Sequence, residues 1–151
     1  MTTKEYLSQI KKINRRLECL ARDREFLIRQ AASAKAIRYD KVNIKTTGAS
    51  DPISSVFEKI ETKEEKIIAL INELIDLRED VARRIEGLED DRHIYVLRLR
   101  YIDLLTWEKI ADQAGYSLDW TLHLHGDAIR AFYAKWGAEL NLSDNSTVNR
   151  K

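Results

Sequence analysis

Two apolar stripes, each stepping alternately by four and three residues, limit this chain more than any other feature. The first passes through Tyr6, Ile10, Ile13, Leu17, Leu20, Arg24, Leu27 and Ala31. The second passes through Ile53, Phe57, Ile60, Glu64, Ile67, Ile71, Leu74, Arg78, Val81 and Ile85. Such spacing aligns one residue per turn on one side of an α-helix and conflicts with the period of two that a strand requires. It predicts one long helix over Thr3–Ala34 and a second from Asp51-Pro52 to about Gly87. Asp51 would be the N-cap and Pro52 a first-turn residue. Neither helix can bury its stripe alone, so each needs a partner, within the chain or in a second copy. The stretch between them, about 35–50, contains Lys45-Thr46-Thr47-Gly48-Ala49-Ser50 and reads as a loop long enough for an antiparallel return.

Charge supports that pairing. Residues 1–50 carry 12 Lys/Arg against 5 Asp/Glu, and residues 51–89 carry 6 against 11. A basic helix beside an acidic one suits a hairpin or a reciprocal homodimer. A second reading is that the basic first helix touches nucleic acid or another acidic partner. Residues 90–151 carry 8 Lys/Arg and 9 Asp/Glu, so the last third is close to neutral.

That last third has a different grammar. Glu89-Asp90-Asp91 favours a helix N-terminus through the macrodipole. The helix expected over Arg92–Tyr101 sets Ile94, Leu97 and Tyr101 on one face. After a break at Ile102–Leu105, Thr106 can cap a short helix, Trp107–Gln113, with Glu108 in its first turn and Ile110 and Ala111 facing inward. Gly115 permits a positive φ. Ser117 can cap a third helix that runs to about Trp136 and closes at Gly137. Small Ala111, turn residue Gly115 and inward Thr121 and Leu124 have the spacing of two helices crossing sharply over a turn of about three residues, a helix-turn-helix. The expected fold class is all-α: a long antiparallel helical hairpin or coiled coil followed by a C-terminal three-helix helix-turn-helix domain. The expected divisions are a dimerisation region at 1–89, the helix-turn-helix at 90–137 and a disordered tail at 138–151.

Leu97-Arg98-Leu99-Arg100-Tyr101, Leu105-Thr106-Trp107-Glu108-Lys109-Ile110-Ala111 and Gly115-Tyr116-Ser117 resemble the fourth conserved region of bacterial sigma factors. With the opening Lys4-Glu5-Tyr6-Leu7-Ser8-Gln9-Ile10 and the mid-chain Gly48-Ala49-Ser50-Asp51-Pro52, the chain from about residue 3 to 135 is similar to small phage and prophage regulators of the RinA/ArpU-like group. The resemblance implies a transcriptional regulator of late or packaging genes that binds double-stranded DNA in the bacterial cytoplasm. The residues it puts against DNA are Ser117, Leu118, Asp119, Trp120, Leu122 and His123 of the second helix of the motif, and Arg98, Arg100, Lys109 and Arg130 could add phosphate contacts. The chain departs from the family pattern at Thr121, where Val or Ile is usual, and at Asp127, where Arg is usual. RNA polymerase or another regulator docking on Leu118, Trp120 and Leu122 is the alternative reading, and a small-terminase-like packaging adaptor is a third.

Other chemistries find little support. His123 and His125 lie about 200° apart around a helix, so they cannot readily share a metal. The lone Cys19 cannot form an intramolecular disulfide, which suits a reducing compartment. No nucleophile elbow or phosphate loop is present in the sequence, and no apolar run nears the roughly 20 residues of a membrane span. Neither catalysis nor a cofactor is expected, and no membrane partner.

Overall fold

The computed structural model describes residues 1–40 and 52–144. Their element order is α1 (Thr3–Leu7), α2 (Gln9–Asp40), α3 (Pro52–Glu86), α4 (Asp91–Leu97), a π-helical segment (Arg98–Ile102), α5 (Trp107–Ala114) and α6 (Leu118–Trp136). The fold is all-α, as the stripes predict. The first helix starts on a capping box: Glu5 N–H donates to Thr2 Oγ1 at 3.2 Å and Thr2 N–H donates to Glu5 Oε2 at 2.8 Å. Ser8 interrupts it for one residue. The expected loop at 35–50 is helical as far as Asp40, because Ala-Lys-Ala-Ile-Arg-Tyr-Asp contains neither Gly nor Pro to stop it. Residues 41–50, the cap proposed at Asp51 and residues 145–151 lie outside the described residues.

The chain divides elsewhere than at residue 90. One compact unit is Asn14–Glu73, and the other joins Met1–Ile13 to the chain from Leu74 onward.

In the first unit α2 and α3 run antiparallel within one chain. Arg24 Nη2 meets Glu64 Oε1 at 2.8 Å, Lys63 Nζ meets Asp23 Oδ2 at 3.4 Å, and the Lys35 ammonium lies 5.3 Å from the centre of the Phe57 ring. The polar breaks of the two stripes, Arg24 and Glu64, therefore face each other. Both side chains are over a third exposed, so the pair adds at most about 1 kcal/mol, and its main effect is on register. Leu70, not Ile71, is the buried residue of its turn, and Phe57 and Ile71 are exposed, which corrects the stripe read from the sequence. At the apolar doublets Ile67-Ile68 and Leu70-Ile71 a period of 3.5 and one of 3.6 choose different members.

The second unit has one core. Tyr6, Leu7 and Ile10 pack with Val81, Ile85 and Leu88, and with Leu97, Ile102, Ala128, Ile129 and Phe132. The helix-turn-helix helices thus share apolar burial with the start of the chain and the end of α3. Arg78, the remaining polar break, donates from Nη1 to the Ile102 carbonyl at 3.0 Å. Tyr6 Oη donates to Asp80 Oδ2 at 2.6 Å, and Arg84 Nε donates to the same oxygen at 3.0 Å. Burial pushes the Asp80 carboxyl up, but the hydrogen bonds from Tyr6, Arg84 and Arg83 outweigh it and hold the group down at about 2. The expected tail begins as ordered chain: Leu142 enters the core and Ser143 N–H donates to the Met1 carbonyl at 2.9 Å. Two leucines two apart, Leu140 and Leu142, in an otherwise polar stretch are too short a run for a sequence to place inside.

Candidate nucleic-acid interface

Local chemistry fixes the motif. Lys109 N–H donates to Thr106 Oγ1 at 3.3 Å, which caps α5. Gly115 ends that helix at φ 71°, in the left-handed region. Tyr116 N–H then reaches the Ala111 carbonyl at 2.9 Å and Gly115 N–H the Asp112 carbonyl at 3.3 Å, the two bonds of a Schellman stop. Ser117 Oγ accepts from Trp120 N–H at 3.1 Å and starts α6. The turn is therefore Gly115-Tyr116-Ser117, three residues, as the spacing predicts.

Burial sorts the faces of α6. Thr121, Leu124, Ala128, Ile129 and Phe132 are buried, with Ile110 and Ala111 of α5 also inside. The Thr121 hydroxyl donates to the Ser117 carbonyl at 2.9 Å, so a polar side chain sits in an apolar seat without an orphaned proton. Leu118, Trp120 and Leu122 are each 42% exposed, and Asp119, His123, Lys109 and Arg130 are exposed.

The structure joins some of the expected contact residues and not others. The Trp120 ring stacks on His123 with centroids 5.5 Å apart. His123 Nε2 lies 3.6 Å from Asp127 Oδ2, and Asp127 also pairs with Arg130. Ser117 is spent on the cap. Lys109 stands apart on α5. The departure at Asp127 thus has a local consequence: its carboxylate occupies the one arginine of α6.

His125 has a place in the core that its residue type does not announce. It follows Thr121 by four residues and precedes Ile129 by four, which puts it on the inner face and away from the metal-ligand pairing considered for it with His123. Its Nε2 lies 2.7 Å from Tyr101 Oη, and its ring meets the Trp107 edge at 4.6 Å. Burial, with Lys4 and Arg100 nearby, pushes its pKa down to about 4, so the imidazole is neutral at pH 7. Burial raises Tyr101 to about 12. The Arg100 guanidinium lies over Trp107 at 4.2 Å and donates from Nη1 to the Leu105 carbonyl at 3.0 Å. Among the described residues no group of three His, Cys, Asp or Glu is arranged to hold a metal, and no helix is long and apolar enough to cross a membrane.

Comparison with protein-family models, curated proteins and solved structures finds no match.

Proposed function

We propose that this chain is a DNA-binding transcriptional regulator of phage or prophage type that presents the outer face of α6 to duplex DNA and works as a homodimer in the host cytoplasm. The observation that supports it best is the junction: an eight-residue helix, a left-handed Gly115, a capping Ser117 and a nineteen-residue helix whose outer face is open. A helix end so exposed and so firmly capped is the form in which a helix enters a major groove. The sigma-like residues around Leu105–Ser117 point the same way. Residues 90–151 are near neutral, so two half-sites joined in a dimer would supply affinity that one domain lacks. Late or packaging genes are the targets that the resemblance implies. The test is binding of the full chain to duplexes from upstream regions of its source genome, at two salt concentrations. Preference for one fragment over random DNA, weakening with salt, is expected; equal binding to every fragment with no salt dependence refutes the reading.

A second reading rests on Leu118, Trp120 and Leu122, all exposed on α6. An apolar trio of that kind suits a protein partner, such as RNA polymerase or another regulator. Trp120→Ala that loses polymerase binding and keeps DNA binding would favour it over the first.

A further inference from the structure

Away from the outer face of α6, the same unit holds a cavity of about 260 Å³. Lys4 of α1, Ser8 at the break and Lys11 of α2 reach it from one side, at i, i+4 and i+7. Arg100, Tyr101 and His125 reach it from the π-helical segment and α6. No carboxylate is among the described residues that line it. Its volume falls below the roughly 300–1,000 Å³ of sites for drug-sized ligands.

What sets this cavity apart is convergence: several arginines of the unit are paired with carboxylates, and the unpaired Lys12, Arg78, Lys109 and Lys135 do not line it. Arg83 and Arg84 are paired with Asp80, Arg92 with Asp90, Arg98 with Glu86 and Arg130 with Asp127. Among the described residues Lys4, Lys11 and Arg100 have no ion-pair partner, and they converge. Three like charges around one cavity repel each other unless an anion joins them. Two buried polar side chains, Tyr101 and His125, are each 7% exposed and line the same space. The Arg100 plane is held against Trp107 with only one N–H given to a carbonyl, so further donors of its fork remain. The wider π turn sets Arg100 and Tyr101 in this place, and such turns recur at functional sites.

We propose that this cavity binds a phosphate group, held by Lys4, Lys11 and Arg100 with the Ser8 and Tyr101 hydroxyls as neutral donors. His125 is a positioning residue: with its Nε2–H given to Tyr101 Oη, the tyrosine proton turns to the anion. Three cations match the charge of a phosphate monoester better than that of a single carboxylate. The phosphate belongs either to a free monoester or to the backbone of duplex DNA, and only the second source rests on the regulator reading.

The experiment follows the His125 ring and Trp107 indole signals by NMR in the full chain. Inorganic phosphate is titrated at constant ionic strength, then a nucleoside 5′-monophosphate, then a duplex without terminal phosphates. A saturable shift with phosphate is expected, weakened about tenfold for each lysine removed in Lys4→Gln and Lys11→Gln, the usual worth of a charge-assisted hydrogen bond. Both lysines are exposed, so the fold persists, and the dispersion of the same spectra checks it. Saturation by the monophosphate with no response to the duplex identifies a free monoester; a duplex response that phosphate displaces identifies the DNA backbone. Shifts that follow chloride as well as phosphate, or that persist in the double variant, overturn the proposal. They do so whatever the duplexes show in the regulator test.

Discussion

Acidification should weaken this fold through one residue. His125 is 7% exposed and its imidazole is held neutral, with a pKa near 4 where a free histidine sits at about 6.5. The unfolded chain therefore takes up a proton between those values that the folded chain refuses. Stability from this group is whole above pH 6.5, falls as the pH drops through the interval, and is fully lost below about 4. A gap of about 2.5 units corresponds to about 3 kcal/mol as an upper figure. The charged or titratable groups that face His125 are Lys4 and Lys11 from the N-terminal helices and Arg100 and Tyr101 from the π segment. The measurement is urea unfolding by far-UV circular dichroism at pH 7, 6, 5 and 4, for the native chain and for His125→Gln. Carboxylates elsewhere titrate in both and cancel. The native chain should lose about 3 kcal/mol more than the variant across this range, a large part of a typical 5–15 kcal/mol. Parallel curves for the two proteins would refute the argument. Phosphate bound in the cavity would favour the charged ring and shrink the loss.

Three other substitutions test the fold around the site. Gly115→Ala meets nothing within 4 Å of the new Cβ, so its cost is the left-handed backbone alone, about 1–2 kcal/mol in urea unfolding with an unchanged spectrum. Thr121→Val should stay within about 1 kcal/mol of the native chain in the same assay, because the hydroxyl bond to the Ser117 carbonyl is exchanged for an apolar methyl in an apolar seat. Asp80→Asn should lower stability by about 1–2 kcal/mol at pH 7, a figure reduced because the carboxylate is a third exposed. Since the Asp80 pKa is depressed to about 2, its contribution is present above about pH 4 and disappears toward pH 2, where the native and Asn proteins should converge in unfolding midpoint.

The helix-turn-helix was legible because its signals are local. Thr106, Gly115 and Ser117 each act on backbone groups within four residues, so residue type alone announces the cap or the stop. Inward Thr121, Leu124 and Ala128 follow from helical period. Choices that depend on a distant partner were not legible in the same way. Leu70 and Ile71 are both apolar, and only the packed hairpin decides that Leu70 goes inside. Leu142 joins a core whose members include residues of α1 and α3 that lie far away in sequence. The π turn depends on Asp103 N–H reaching back to the Arg98 carbonyl, at 2.9 Å, and no residue in Arg98–Ile102 announces that register. His125 lies between these cases: its inner face could be read from the period, while its partner Tyr101 required the fold.

Charge placement bears on how such a chain would hold DNA. The outer face of α6 contains Asp119 and Asp127 against His123 and Arg130, and Arg130 is already paired. A face of that composition offers shape and apolar contact and little counterion release, so it could discriminate between sequences without supplying much affinity. Three cations without an ion-pair partner, Lys4, Lys11 and Arg100, line one cavity of this unit instead. On the regulator reading, affinity and discrimination therefore reside on different surfaces and separate by mutation. If the cavity takes a backbone phosphate, Lys4→Gln with Lys11→Gln should weaken binding to every duplex alike and flatten its dependence on salt, by up to about two in the logarithmic slope. Trp120→Ala should leave that slope unchanged and narrow the difference between preferred and random duplexes. If Trp120→Ala lowers the slope while the lysine pair leaves it alone, phosphate contact belongs to α6 and this division of labour is wrong.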